Sequence, residues 1–96
     1  MMIDGPTETV MALEPLAEKW KGFGFHVCEI DGHDYKQLAD AIDFAHAYDK
    51  GPVMILCNTI KGKGVDFMED NPAWHYGGLN AELVAKAKKS LEKFDV

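Results

Sequence analysis

Two lysines alternate with two glycines in Asn58-Thr59-Ile60-Lys61-Gly62-Lys63-Gly64-Val65, and a histidine follows fourteen residues after Lys61, in Pro72-Ala73-Trp74-His75. Glycine lets a backbone take positive φ and approach a ligand closely, and lysine sets a positive charge beside it. An apolar run, Val53 to Cys57, delivers the chain to this point. The combination reads as an anion-binding rim at the end of a strand, continued by a flexible aromatic and histidine loop. The plain alternative is a solvated glycine-lysine loop with His75 packed against Trp74.

The elements that must position this loop follow from periodicity. Glu14-Pro15 reads as a helix entrance with proline at the first helical position. Leu16, Trp20 and Phe23 then recur at helical spacing, and Gly22 and Gly24 stop the helix. Phe25 to Ile30 is a short strand, with His26 packed or edge-exposed within it. Asp31-Gly32-His33-Asp34 is a turn in which His33 has a turn or capping role, and Asp34 with Gln37 resembles a helix cap with its reciprocal partner. Leu38, Ile42, Ala45 and Tyr48 or Asp49 trace the stripe of a second helix, ending near Lys50-Gly51-Pro52. Val53 to Asn58 is almost wholly apolar, as a buried parallel strand should be. Asn80 reads as the N-cap of a last helix with Val84, Ala87, Leu91 and Phe94 on one face.

The order is helix, strand, helix, strand, long loop, helix. The fold class is α/β: a small parallel βαβ unit over residues 25–58 with flanking helices and a right-handed crossover. Parallel strands end on one edge, so the Asp31 turn and the Asn58 loop emerge side by side, where ligands of open α/β sheets bind. Two parallel strands are too few for an independent sheet. Either the N-terminal segment or Gly64 to Met68 adds a strand, or the sheet continues in another chain. The last of these is the expectation.

Composition narrows the class. Ninety-six residues make one small domain with a marginal core, and 47% apolar with 27% charged residues are globular values. A net charge of −6 argues against nucleic acid. Lys86, Lys88, Lys89 and Lys93 cluster with Glu82 and Glu92 among them, as a solvated helix face. Cys28 and Cys57 form no CxxC pair and are expected to be core thiols, which suits a reducing cytoplasm. Met11, Met54 and Met68 are scattered apolar filler, and Trp20, Phe23 and Phe25 are core or interface surface. No apolar run approaches membrane-spanning length, and the N-terminus lacks signal-peptide organisation, so no membrane partner is expected.

A family comes into view from several stations at once. Ile3-Asp4-Gly5-Pro6-Thr7, Leu13-Glu14-Pro15-Leu16 with Trp20 and Phe23, Asp31-Gly32-His33-Asp34, Thr59 to Val65 and Phe67 to His75 resemble, in order and spacing, the N-terminal thiamine-diphosphate-binding part of transketolases. The resemblance covers essentially the whole chain and includes transketolases encoded as two subunits. It implies transfer of a two-carbon ketol unit from a ketose phosphate to an aldose phosphate, with thiamine diphosphate and a divalent cation (Mg or Ca) as cofactors. By position it implies that His75 is the active-site histidine, that Lys61 lines the cofactor pocket beside it, and that Ile3 is an apolar contact to the cofactor rings. Lys63 matches a loop position with no assigned role.

The sequence also departs from the family. It contains no Gly-Asp-Gly metal and diphosphate motif, and Met1 falls where the family directs a backbone carbonyl at the metal. The glutamate that activates the aminopyrimidine belongs to a pyrimidine-binding domain, also absent. Tyr76 stands where the family has glycine directly after the histidine. Residues 1–96 are therefore expected to be a single partial domain, the C-terminal portion of a transketolase cofactor-binding domain, inactive alone. Two further readings stand beside it: a non-catalytic module that pairs its sheet edge with itself or a partner, and a subunit completed by separately encoded transketolase chains. A sugar phosphate would be a substrate only of the complete enzyme.

Overall fold

In the computed structural model, which describes residues 1–94, the chain runs through α1 (Thr7–Val10), α2 (Leu16–Gly22), β1 (His26–Asp31), α3 (Tyr35–Ala47), β2 (Val53–Asn58), a 3-10 turn (Pro72–His75) and α4 (Ala81–Leu91). This is the expected order with two short additions, α1 and the 3-10 turn. The chain divides into two units, Leu13–Thr59, and Met1–Ala12 together with the chain from Ile60 onward.

The first unit is the βαβ motif. β1 and β2 are parallel, paired from His26 with Val53 through Asp31 with Asn58, and the Gly32 N–H extends the ladder to the Asn58 carbonyl at 2.9 Å. The Asp31 turn and the end of β2 thus lie side by side, as the parallel arrangement requires. Among the described residues the sheet has two strands, so each has one edge with no strand beside it. Neither the N-terminal segment nor Gly64 to Met68 adds to it. Met2 and Gly5 form an isolated bridge, and Gly64 to Met68 lies among hydrogen-bonded turns.

Local chemistry explains the element ends. α2 closes with Gly24 at φ 88°, its N–H donating to Lys21 C=O at 2.9 Å while Phe25 N–H reaches back to Trp20 C=O at 3.2 Å. That is a Schellman arrangement. The Phe25 ring completes it by meeting the Trp20 ring edge-on at 4.9 Å. Gly24 is therefore the stop, and Gly22 is the last helical residue. Pro15 lies one position before the helix, as its N-cap.

At α3, Asp34 Oδ1 accepts the N–H groups of Lys36 and Gln37 at 2.9 and 3.1 Å. Gln37 does not close a full capping box. Its Oε1 takes the Asp31 N–H at 2.9 Å, and its Nε2 donates to Asp34 Oδ2 at 3.2 Å. The same turn holds His33, whose N–H donates to Asp31 Oδ1 at 2.9 Å.

Donation from the Gln37 backbone N–H, then from the Gln37 side chain and the Lys36 N–H, holds the Asp34 carboxyl below its ordinary pKa. A carboxylate whose folded pKa is depressed adds stability that is fully present above about pH 4 and is lost as pH falls through the folded value. Asp34→Ala is expected to flatten the acid limb of a stability-versus-pH profile, read by helical circular dichroism.

The inward face of α3 is Leu38, Ala41, Ala45 and Tyr48, and Ala41, 6% exposed, is the single buried apolar side chain among the described residues. Ile42, expected on that face, is exposed. Both phases keep Leu38 and Ala45. Packing selects Ala41, whose small side chain lets the helix lie close to its neighbour. Tyr48 and Phe44 stack at 5.4 Å, and the His26 ring lies 4.8 Å from Phe44 and 4.9 Å from Tyr48, so His26 is an aromatic packing partner.

β2 is half-buried rather than buried, and Cys57 is exposed while Cys28 is half-buried. Neither cysteine is thus a fully buried core thiol. A two-stranded sheet covers too little of β2's end to enclose it. Of the expected aromatic group Trp20 and Phe25 are half-buried, while Phe23 meets the Trp20 ring edge-on at 6.4 Å but is 80% exposed, as surface rather than core. Met11 is also exposed, whereas Met54 and Met68 are half-buried.

Candidate functional site

Beyond β2 the chain folds into successive turns that draw Lys61 and His75 together. Lys63 N–H donates to Ile60 C=O at 3.1 Å, Val65 N–H to Gly62 C=O at 3.1 Å, and Met68 N–H to Val65 C=O at 2.8 Å. The return leg is pinned where Asp70, at φ 51°, donates its N–H to Lys61 C=O at 3.0 Å. Asn71 then caps the 3-10 turn, its Oδ1 accepting the Ala73 N–H at 3.1 Å. The Trp74 ring packs 5.4 Å from Phe67. The result places Lys61 Nζ 2.8 Å from His75 Nδ1. Lys61 is half-buried and His75 exposed.

The loop is therefore tied back on itself by its own hydrogen bonds. Three of its backbone donors, those of Lys63, Gly64 and Val65, are also occupied. Gly64 N–H donates to Glu69 Oε1 at 3.0 Å, and those of Lys63 and Val65 go to carbonyls. At those three positions an anion would find no open amide. Lys63 turns aside, with Nζ 5.7 Å from the centroid of the Phe94 ring, a cation–π distance.

Gly62 is what permits the loop to double back. It takes φ 78°, and a Cβ there would lie 2.5 Å from the Met68 carbonyl oxygen and 2.7 Å from its carbonyl carbon.

Ser90 supports the same loop, a role the sequence does not announce. It is 4% exposed, accepts the Asp66 N–H at 3.0 Å and donates its hydroxyl to Gly64 C=O at 2.8 Å. The one signal for it is a small polar residue at an inward position of α4, one turn beyond Ala87. Asn80 caps that helix as expected, its Oδ1 accepting the Leu83 N–H at 2.8 Å. The inward face runs through Leu83, Val84, Ala87 and Ser90, whereas Leu91 and Phe94 are exposed. Ser90→Ala leaves two backbone groups without partners, so a loss of roughly 1–3 kcal/mol is expected in denaturant unfolding.

The helix lysines fit a solvated face. Lys86 pairs with Glu82 at 2.8 Å, and Lys93 lies 3.8 Å from Asp66, all four side chains being exposed. A shallow depression of about 400 Å³ between Lys86, Lys89, Lys93, Asp66, Phe67 and Ser90 includes neither Lys61 nor His75.

Ile3 is 58% exposed within the turn closed by Met2 N–H on Gly5 C=O at 2.8 Å, and takes no part in the Lys61 and His75 pair. Tyr76 is accommodated without strain. Its backbone is extended (φ −143°, ψ 135°), a conformation open to any residue, and its side chain is 92% exposed.

Chemically, Lys61 and His75 offer N–H donors at one point, which suits the oxygens of a phosphate or diphosphate. A metal ion is a different matter. Among the described residues no three His, Cys, Asp or Glu side chains are grouped so as to hold one. No helix among them is long and apolar enough to cross a membrane.

Residues 1–95 match the family described as the transketolase, thiamine diphosphate binding domain. A 6-deoxy-6-sulfo-D-fructose transketolase subunit from Clostridium sp. (strain MSTE9) is 45% identical over 93 residues, 97% of this chain and 34% of that protein. An apulose-4-phosphate transketolase subunit from Phocaeicola vulgatus is 32% identical over 97% of this chain and 33% of its own length. Transketolase 2 of Xanthobacter flavus is 31% identical over 93% of this chain and 13% of its own. The chain thus spans about a third of the length of the subunit-type relatives. With the motif order and the βαβ unit already in place, this match over nearly every residue settles its membership: the chain belongs to the transketolase family, as part of its thiamine diphosphate binding domain.

Proposed function

We propose that these residues form one wall of a thiamine diphosphate pocket in a cytoplasmic transketolase assembled with further polypeptide. The observation that carries this is the Lys61 and His75 pair, 2.8 Å apart and held there by the turns between them. The motif resemblance supports both residues as lining the cofactor pocket. Lys61 and His75 would hold the anionic end of the cofactor or a sugar phosphate by donating to its oxygens, and Ile3 would contact the cofactor rings. When bound, thiamine diphosphate supplies the nucleophilic carbon that carries the two-carbon ketol unit.

Two requirements are not met by these residues. A divalent cation (Mg or Ca) needs oxygen ligands in number. The Gly-Asp-Gly motif that would provide them, and the glutamate that activates the cofactor, would come from outside residues 1–96. Relatives named as subunits support a complementary transketolase chain as that source. The test is to mix the chain with such a subunit and assay ketol transfer between sugar phosphates. Activity only in the mixture supports the reading, and failure with every subunit that supplies those motifs would overturn it.

A second reading rests on the open sheet edges and on Phe23 and Tyr35, 80% and 82% exposed. Apolar surface and unpaired strand edges of this kind favour association with another copy or another chain. Light scattering over a concentration series is expected to show a homo-oligomer when no partner is present. A monomer at high concentration would rule out self-association.

A further inference from the structure

The geometry points to Lys61 as a positioning residue that fixes the tautomer of His75, so that the exposed ring edge presents Nε2–H as a hydrogen-bond donor. The contact is from Lys61 Nζ to Nδ1, at 2.8 Å. An amine is a far stronger base than an imidazole, so the hydrogen between them belongs to the ammonium. An ammonium has donors and no acceptor, so Nδ1 must offer its lone pair. A neutral ring accepting at Nδ1 carries its hydrogen on Nε2, because the partner of one ring nitrogen decides the state of the other. A doubly protonated ring would set Nδ1–H against the ammonium, donor against donor.

Lys61 is suited to this task. It is half-buried, and its carbonyl is tied to Asp70 N–H at 3.0 Å, five residues before His75. The backbone thus fixes both ends of the contact, and the 3-10 turn over Pro72–His75, capped by Asn71, orients the ring. Lys63, two residues on, is directed to Phe94 and cannot substitute.

The consequence is a choice of role. With Nδ1 engaged and Nε2 protonated, neutral His75 donates to an oxygen at its exposed edge and does not take a proton there. This role in a reaction rests on the pocket proposed above, but the tautomer itself does not.

Long-range proton–nitrogen correlation NMR on the chain alone distinguishes the two ring nitrogens and so reads the tautomer whether or not any cofactor binds. His46, exposed in the last turn of α3, is the internal reference. The wild-type neutral His75 ring is expected almost entirely as the Nε2–H form, with the Nδ1 signal displaced by hydrogen bonding. Lys61→Met is expected to raise the minor Nδ1–H form several-fold, to the proportion seen at His46, and Lys61→Arg to restore the wild-type pattern. Nδ1–H in the wild type, or a tautomer ratio equal to that of His46, would overturn the assignment even if Lys61→Met failed to fold.

Discussion

Replacing Gly62 with alanine is expected to unseat the whole segment from Lys61 to His75. Two penalties coincide at this position. The backbone sits at φ 78°, which costs an L residue roughly 1–2 kcal/mol. The new Cβ would also lie 2.5 Å from the Met68 carbonyl oxygen, a backbone atom that cannot swing aside as a side chain would. Overpacking of this sort adds about 1–3 kcal/mol. Together they give roughly 2–5 kcal/mol, a large part of the stability of a small domain. The chain can escape only by moving the 65–70 turn, and that turn carries the Asp70 N–H that pins Lys61. The loss should therefore appear twice: as a lower denaturant midpoint, and as loss of the wild-type His75 tautomer signature. The neighbouring Lys63 offers no relief, because its own N–H is already bonded to the Ile60 carbonyl.

His75→Ala is expected to separate activity from stability. The side chain is exposed, and its polar contact is with Lys61, so its removal should leave the unfolding midpoint within about 0.5 kcal/mol of wild type. In the enzyme reconstituted with a complementary subunit, ketol transfer should fall by roughly 10²–10³, the range seen when one preorganised donor to developing charge is lost. Matched unfolding curves and initial rates on the same preparations check both halves of the expectation.

What the sequence made legible was mostly local. Asp34 and Asn80 could be read as caps because an N-cap is decided by one side chain and the amides two or three residues on. The order of strands and helices was readable for the same reason. The family assignment, too, rested on short motifs whose residues are close in sequence. The pairing of Lys61 with His75 was implied only by resemblance, since it depends on how the intervening turns double back.

Features set by neighbours distant in sequence were not readable. Val53 to Cys57 has the composition of a buried strand, but burial depends on how many strands and helices surround it, and Cys57 remains exposed. Ala41 and Ile42 are adjacent apolar residues, and only packing decides which faces inward. The backbone amides of Lys63, Gly64 and Val65 look open to an anion in the sequence, but Glu69 and the turn carbonyls occupy them. Ser90 carries no local signature of its role because its partners, Gly64 and Asp66, lie 26 and 24 residues away.

Whether residues 1–96 are one wall of a larger cofactor pocket can be read by isothermal titration of thiamine diphosphate with magnesium, into the chain alone and then into the chain mixed with a complementary transketolase subunit. No micromolar binding to residues 1–96 alone is expected, because they contain no Gly-Asp-Gly motif, and binding is expected in the mixture and to weaken with His75→Ala. Micromolar binding by the isolated chain would contradict this.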